Sequence, residues 1–185
     1  MKKRPICTVL TLALVAPVPG CGQDIEERPA AETAQIQEKP GYAALLPNAR
    51  QPMEGVVSGG QPSPEQLVAA RDAGFRTVIN LRTPGEPGTG RDDVEALGMD
   101  YVSIPIAGAD GLTLENTQAF VAALEEAKKP VILHCSSGNR IGALMALKAF
   151  HLDSKSAEEA LEIGKAAGLT RLEQAVREHL ETAGE

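Results

Sequence analysis

A chain of 185 residues with a formal charge of −7, 18 basic against 25 acidic side chains and no long basic run, has room for one ordinary domain and does not suit a nucleic-acid backbone as its main partner. With no Trp, two Tyr and three Phe, the core must be built from Ala, Val, Leu and Ile, and stacked aromatics for single strands are not on offer. An anionic ligand would therefore need a locally positive site.

Lys2, Lys3 and Arg4 precede an apolar run over 6–16, the order of an export signal, and the run is too short to span a bilayer. Val18-Pro19-Gly20-Cys21 resembles the lipobox of bacterial lipoproteins, with Pro19 in place of the usual small residue. The expectation is an export signal over 1–21 and a protein that is periplasmic or tethered to the membrane through a lipidated Cys21. Residues 22–52 mix Glu, Gln, Ala, Pro and Asn without a sustained apolar period and read as a flexible linker, leaving 53–185 as the folded domain. Cys7 falls in the signal and Cys21 in the tail, so Cys135 is the thiol left in the body and no disulfide is available there. An unpaired Cys in an oxidising compartment is a liability unless it is buried or has chemistry to do.

From Met53 onward short β-type runs alternate with helical stretches. A strand over 55–58 precedes Ser63-Pro64-Glu65-Gln66, which supplies an N-cap, an N1 proline and a capping-box Gln for a helix running to Ala73, with Gly74 as its stop. A buried strand over 76–81 leads into a loop marked by Pro84, Gly85, Pro87, Gly88 and Gly90, then a short helix over 92–97. The next strand covers 101–106. Thr113 caps a helix with Phe120, Val121 and Leu124 at helical spacing, and Lys128 and Lys129 supply the charge its end prefers. A short central strand over 130–134 is joined to a buried helix over 139–150 by nothing but the loop containing Cys135. Ser156-Ala157-Glu158-Glu159 and Thr170-Arg171-Leu172-Glu173 predict two further capped helices. The alternation predicts an α/β three-layer sandwich with a short, mostly parallel central sheet flanked by helices.

In such sheets ligands bind at the carboxyl ends of the strands. There the sequence places His134-Cys135-Ser136-Ser137-Gly138-Asn139-Arg140. Backbone N–H groups of a loop entering a helix turn inward as a nest, and the helix dipole adds positive potential. Gly138 permits that backbone. Arg140 presents a planar fork suited to two oxygens of a phosphoryl group. For Cys135 the plainer alternative is a small buried hydrophobe at a strand end, and for His134 the plain role is packing under the loop.

His134-Cys135-x-x-Gly138-x-Arg140 resembles the signature loop of the protein tyrosine and dual-specificity phosphatases. From about Val56 to Leu169 the chain is similar to the small bacterial phosphatase-like domain found alone or attached to beta-lactamase-like hydrolases. The matching pieces are Ser58-Gly59-Gly60-Gln61-Pro62, Val78-Ile79-Asn80-Leu81-Arg82, Ile104-Pro105-Ile106 before Leu112-Thr113, and the Cys135 loop through Gly142. The resemblance implies a phosphatase-like fold and a phosphomonoesterase with Cys135 as nucleophile, Arg140 as anion clamp and Ser136, Ser137, Gly138 and Asn139 lining the substrate's phosphoryl group.

A proton donor for the leaving oxygen is expected on a facing loop. Asp110, in Ala107-Gly108-Ala109-Asp110-Gly111, is the leading candidate, although an Asp-Gly pair is also an ordinary turn. Arg82, Glu86 and Asp92 are second candidates on the loop after the Val78 strand, where such charges more often solvate a loop. The Cys135-to-Arg140 spacing is one residue shorter than in the common phosphatase loop, and Ile141 stands where a hydroxyl residue commonly follows the Arg. A six-residue loop of this kind is typical of rhodanese-like sulfurtransferases, which makes a Cys135 persulfide the alternative chemistry. An anion-binding module without turnover is the third reading. His151 and His179 have no companion at metal-ligand spacing and read as surface residues. No cofactor and no metal are expected, and the partner expected is a phosphorylated protein or a small phosphoester.

Overall fold

The computed structural model describes residues 41–183; the expected export signal and Cys21 lie outside the described residues. After a 3-10 turn (Tyr42–Ala44) come β1 (Arg50–Met53), β2 (Val56–Gly59), α1 (Pro64–Asp72), β3 (Thr77–Asn80), α2 (Arg91–Glu95) and β4 (Asp100–Ser103). Then follow α3 (Leu114–Glu126), β5 (Val131–His134), α4 (Asn139–His151), α5 (Ala157–Ala166) and α6 (Glu173–Ala183). The sheet order is β1-β2-β5-β3-β4, with β1 antiparallel to β2 and all other pairs parallel. This is the α/β architecture expected, with β5 in the centre.

The period of two along each strand sorts the side chains into two cores. Val56, Ile79, Val131 and Leu133 pack toward α3, α4, α5 and α6. Val57, Val78 and Ile132 pack toward α1 and α2, with Leu67, Ala70 and Val94. Strands β2, β3 and β5 are buried at every residue, which is why their sequences read as continuous apolar runs.

Helix starts follow the local chemistry. Ser63 and Gln66 close a capping box on α1, with Pro64 in the first turn; Ser156 and Glu159 do the same for α5. Thr113 caps α3 by accepting from the Asn116 N–H at 3.1 Å. Helix α4 is apolar almost all round, and the helix-sheet layer buries Ile141 through Leu147. Its contact with the end of α5 is so close that a Cβ on Gly142 would lie 2.0 Å from the Leu169 backbone nitrogen, so no larger residue fits without moving that chain.

Four expectations are corrected. Within the segment read as linker, residues 41–52 pack on the domain: Leu45 and Leu46 are buried and β1 covers the sheet edge, its proline and polar residues having hidden the strand. Strand β4 stops at Ser103, because Pro105 has no N–H for the ladder, although the N–H groups of Ile104 and Ile106 still reach Asn80 and Leu81 carbonyls. Thr170 does not cap α6, which starts at Glu173; its hydroxyl donates instead to Asn139 Oδ1 at 3.1 Å. His151 and His179 are not isolated surface residues, since their Nε2 atoms stand 3.0 Å apart between α4 and α6.

Candidate active site

The loop rises from the carboxyl end of β5 between β2 and β3, where His134 is in register with Gly59 on one side and Asn80 on the other. Its first residues are pinned to β2: the Cys135 N–H donates to the Gly59 carbonyl at 3.3 Å, and Ser137 bridges to Gly60. Gly60 fits closely here: a Cβ would stand 3.1 Å from the Ser136 carbonyl and 3.2 Å from Pro47 Cβ, so a side chain would push the loop by a few tenths of an ångström.

Gly138, at φ 96, caps α4 in the left-handed conformation, which a side chain rarely adopts. That turn directs its N–H to Cys135 Sγ at 3.1 Å. Among the described residues no backbone acceptor takes the N–H of Ser136, Asn139 or Arg140. These donors belong to the loop and to the first turn of a 13-residue helix, where N–H groups have no intrahelical partner and the dipole is positive. Cys135 is 1% exposed and packs with the core on the α3–α6 side of the sheet.

Glu86 organises the cationic side of the site. Its Oε1 lies 2.8 Å from Arg140 Nη1, an ion pair too oblique for a well-formed hydrogen bond, and Nη1 is otherwise buried without a partner. Its Oε2 accepts from the Ser136 hydroxyl at 2.7 Å and from Arg82 Nε at 3.3 Å. Burial of the Glu86 carboxylate works against its charge, but the hydrogen bonds and contacts with Arg140, Ser136 and Thr83 prevail and hold its pKa far below the usual carboxylate range. The ion pair fixes Nη1 and leaves Arg140 Nε and Nη2 without a protein partner among the described residues, so one edge of the fork is available for two ligand oxygens. Arg82 is itself buried, bonded to Gln61 Oε1 and to the Pro87 carbonyl. These two residues therefore build the site instead of solvating a loop, while Asp92 is exposed on α2.

His134 is buried under the loop, and its Nδ1 has no partner. Burial, followed by the nearby Arg82 charge, pushes its pKa down to about 4, so the imidazole is neutral at physiological pH. The unfolded chain binds a proton at His134 from about pH 6.5 downward and the folded chain does not until about pH 4. Stability is therefore fully present above the unfolded value and is lost as pH falls through that window, by roughly 3 kcal/mol in all. Urea titrations from pH 7.5 to 4.5 should show this loss, and His134→Asn should flatten it; an equal slope in the variant would assign the loss to other groups.

The remaining candidates separate. Ser136 is exposed and Ser137 half-buried along the loop. Asn139 is buried, and its side chain turns from the ligand side: Oδ1 accepts from the N–H groups of Thr170 at 2.8 Å and Leu172 at 3.3 Å. Asp110 is exposed in the turn between β4 and α3, on the same edge of the sheet as the Cys135 loop, and its carboxylate makes no hydrogen bond or ion pair among the described residues. A concavity of about 600 Å³ lined by Tyr42, Leu45, Phe75, Lys129 and Pro130 lies at the opposite, amino-terminal edge of β5. It lacks the convergent donors of the loop, and the chemistry is assigned to the carboxyl edge.

Fold and comparison together place the chain in the α/β fold shared with solved structures of phosphatases. Similar solved structures include a protein of Neisseria meningitidis Z2491 with a TM-score of 0.59 and 22% identity, covering 76% of this chain and 98% of that one. Another is Tk-PTP in its active form, with a TM-score of 0.54 and 26% identity, covering 74% of this chain and 97% of that one. Residues 49–151 match the family model for the phosphatase-like domain of the beta-lactamase hydrolase-like protein, and the chain belongs to that family. The beta-lactamase hydrolase-like protein of Xylella fastidiosa strain Temecula1 is 31% identical over 121 residues, which are 62% of this chain and 28% of that protein. That of Agrobacterium fabrum is 34% identical over 100 residues, 51% of this chain and 23% of that protein. The chain thus spans about a quarter of the length of these relatives.

Proposed function

We propose that the domain hydrolyses phosphomonoesters, on a protein or a small molecule, through an S-phosphocysteine at Cys135. The observation that carries this reading is the Gly138 N–H aimed at Cys135 Sγ at 3.1 Å, in a loop where the N–H groups of Ser136, Asn139 and Arg140 have no backbone acceptor among the described residues. Arg140 and the N–H groups of Ser136, Asn139 and Arg140 hold the three non-bridging oxygens, as preorganised donors do for developing charge. The thiolate attacks phosphorus in line with the ester oxygen. The S–P bond forms as the P–O bond breaks, and the leaving oxygen takes a proton from a general acid. Water then attacks phosphorus, gives a proton back to that acid, and releases inorganic phosphate with the electron pair returning to sulfur. A substrate outside the cytoplasm fits the export signal read over 1–21.

The test is phosphate release from aryl and protein phosphoesters, with rapid acid quenching and intact-mass analysis of the enzyme. A phosphoryl adduct on Cys135 is expected during turnover. The loop length favours sulfur transfer as the second reading, and the same measurement separates the two. A persulfide on Cys135, with thiocyanate formed from thiosulfate and cyanide and no phosphate released, would overturn the phosphatase reading.

Asp110 is the general acid in this scheme. Its exposed position on the carboxyl edge supports the role, and leaving-group dependence tests it. Asp110→Asn should lower kcat for an alkyl phosphate by roughly 10²-fold, the usual scale of acid catalysis, and that for p-nitrophenyl phosphate much less. An equal effect on both esters would assign the acid to another group.

A further inference from the structure

Two guanidinium groups flank the Cys135 loop without a carboxylate partner among the described residues: Arg50 and Arg171. Arg50 opens β1 in register with Ser58, which puts it at the edge of the sheet from which the loop rises. Its Nη1 donates to the Asn48 carbonyl at 3.0 Å, and Asn48 Nδ2 reaches the Ser137 carbonyl at 3.5 Å. A Cβ built on Gly168 would lie 3.4 Å from Arg50 Nη1 and 3.1 Å from the Gly138 carbonyl oxygen. The guanidinium and the loop are thus separated by no more than the width of a small side chain. Arg171 lies in the connection to α6, between the two residues whose N–H groups grip Asn139 Oδ1, and it is exposed.

This placement is unfavourable on its own terms. Arg50 stands beside Gly138 and the positive end of α4, Arg171 is carried by the segment that grips Asn139, and positive charges gathered on one rim repel. The chain as a whole is acidic, with a formal charge of −7, so carboxylates to neutralise them were plentiful. Arg82 and Arg140, by contrast, share Glu86. An unmatched pair at this rim is explained by an anion that arrives with the substrate.

We propose that Arg50 and Arg171 bind a second phosphate of the substrate, so that the preferred substrate carries one phosphate close to the scissile one. This rests on the phosphatase reading and adds a specificity to it. The rim acts on binding, outside the reacting atoms, and its effect falls on KM more than on kcat. Salt weakens it, because exposed charges are screened within about 8 Å at physiological ionic strength.

Phenyl phosphate and catechol bisphosphate differ by one phosphate on the neighbouring ring carbon, and their kcat/KM ratio at low salt is the readout. The wild type should favour the bisphosphate by about tenfold, as one charge-assisted contact supports. Arg50→Ala and Arg171→Ala should each lower that ratio several-fold, the double variant should bring it near one, and Arg50→Lys should retain part of it. Arg171 makes no contact that folding needs, so its variant remains informative if Arg50→Ala is unstable. A ratio near one in the wild type, or one that survives both alanine substitutions, overturns the proposal. Calorimetric binding of the same two compounds to the Cys135→Ser chain tests the rim independently of turnover. If no ester is hydrolysed, the catalytic reading fails, and tighter binding of the bisphosphate that depends on Arg50 and Arg171 still supports the rim. Equal binding of the two compounds overturns it.

Discussion

Cys135→Ser should leave a folded domain that releases no measurable phosphate, a loss of at least about 10⁴-fold in kcat. The substitution exchanges sulfur for a slightly smaller oxygen at a buried site, and the hydroxyl can still accept from the Gly138 N–H. Packing and the shape of the loop are therefore kept. What is lost is the sulfur nucleophile, since a serine hydroxyl without an adjacent base is a poor one. Because the amides and Arg140 are untouched, binding of inorganic phosphate should persist. Phosphate release measured beside calorimetric phosphate binding checks both halves. Turnover within tenfold of the wild type would remove the sulfur from the reaction.

Arg140→Lys should lower kcat for an aryl phosphate by about 10²- to 10³-fold, the scale seen when one preorganised donor to developing charge is removed. A lysine would keep the charge and could still face Glu86. It cannot present two parallel N–H groups in a plane while a third nitrogen is held by a carboxylate. The structure makes that distinction concrete, because Glu86 Oε1 takes Nη1 and leaves the other edge of the fork for the phosphoryl oxygens. The measurement is kcat and KM for wild type and variant at one pH. An unchanged kcat with a raised KM would mean that Arg140 only gathers the substrate and does nothing more at the transition state.

Much of this arrangement could be read along the chain, and the limits have physical causes. Buried strands announce themselves by unbroken apolar runs, and Ser63, Thr113 and Ser156 announce helix starts through side chains that satisfy nearby N–H groups. The Cys135 loop was legible because its pattern is local: cysteine, glycine and arginine lie within one turn of chain. Strand β1 was not, because RQPM carries a proline and polar residues that an edge strand tolerates and a central strand does not. Glu86 was seen only as one of several charges on a loop. Its position against Arg140, far along the chain, is a property of two neighbouring parallel strands delivering their loops to one place. Asn139 shows the reverse limit, for a polar residue inside the motif turned out to serve the fold through Thr170 and Leu172.

That last contact has a consequence for anyone who would carve out or transplant this domain. The stretch recognised as the family ends at residue 151, yet the chain that holds Asn139 in place and covers the Gly142 face of α4 comes from beyond it. A fragment trimmed to the recognised boundary would keep all the reactive groups and lose the brace that keeps them in a ring. Its catalytic letters would be intact and their spelling undone.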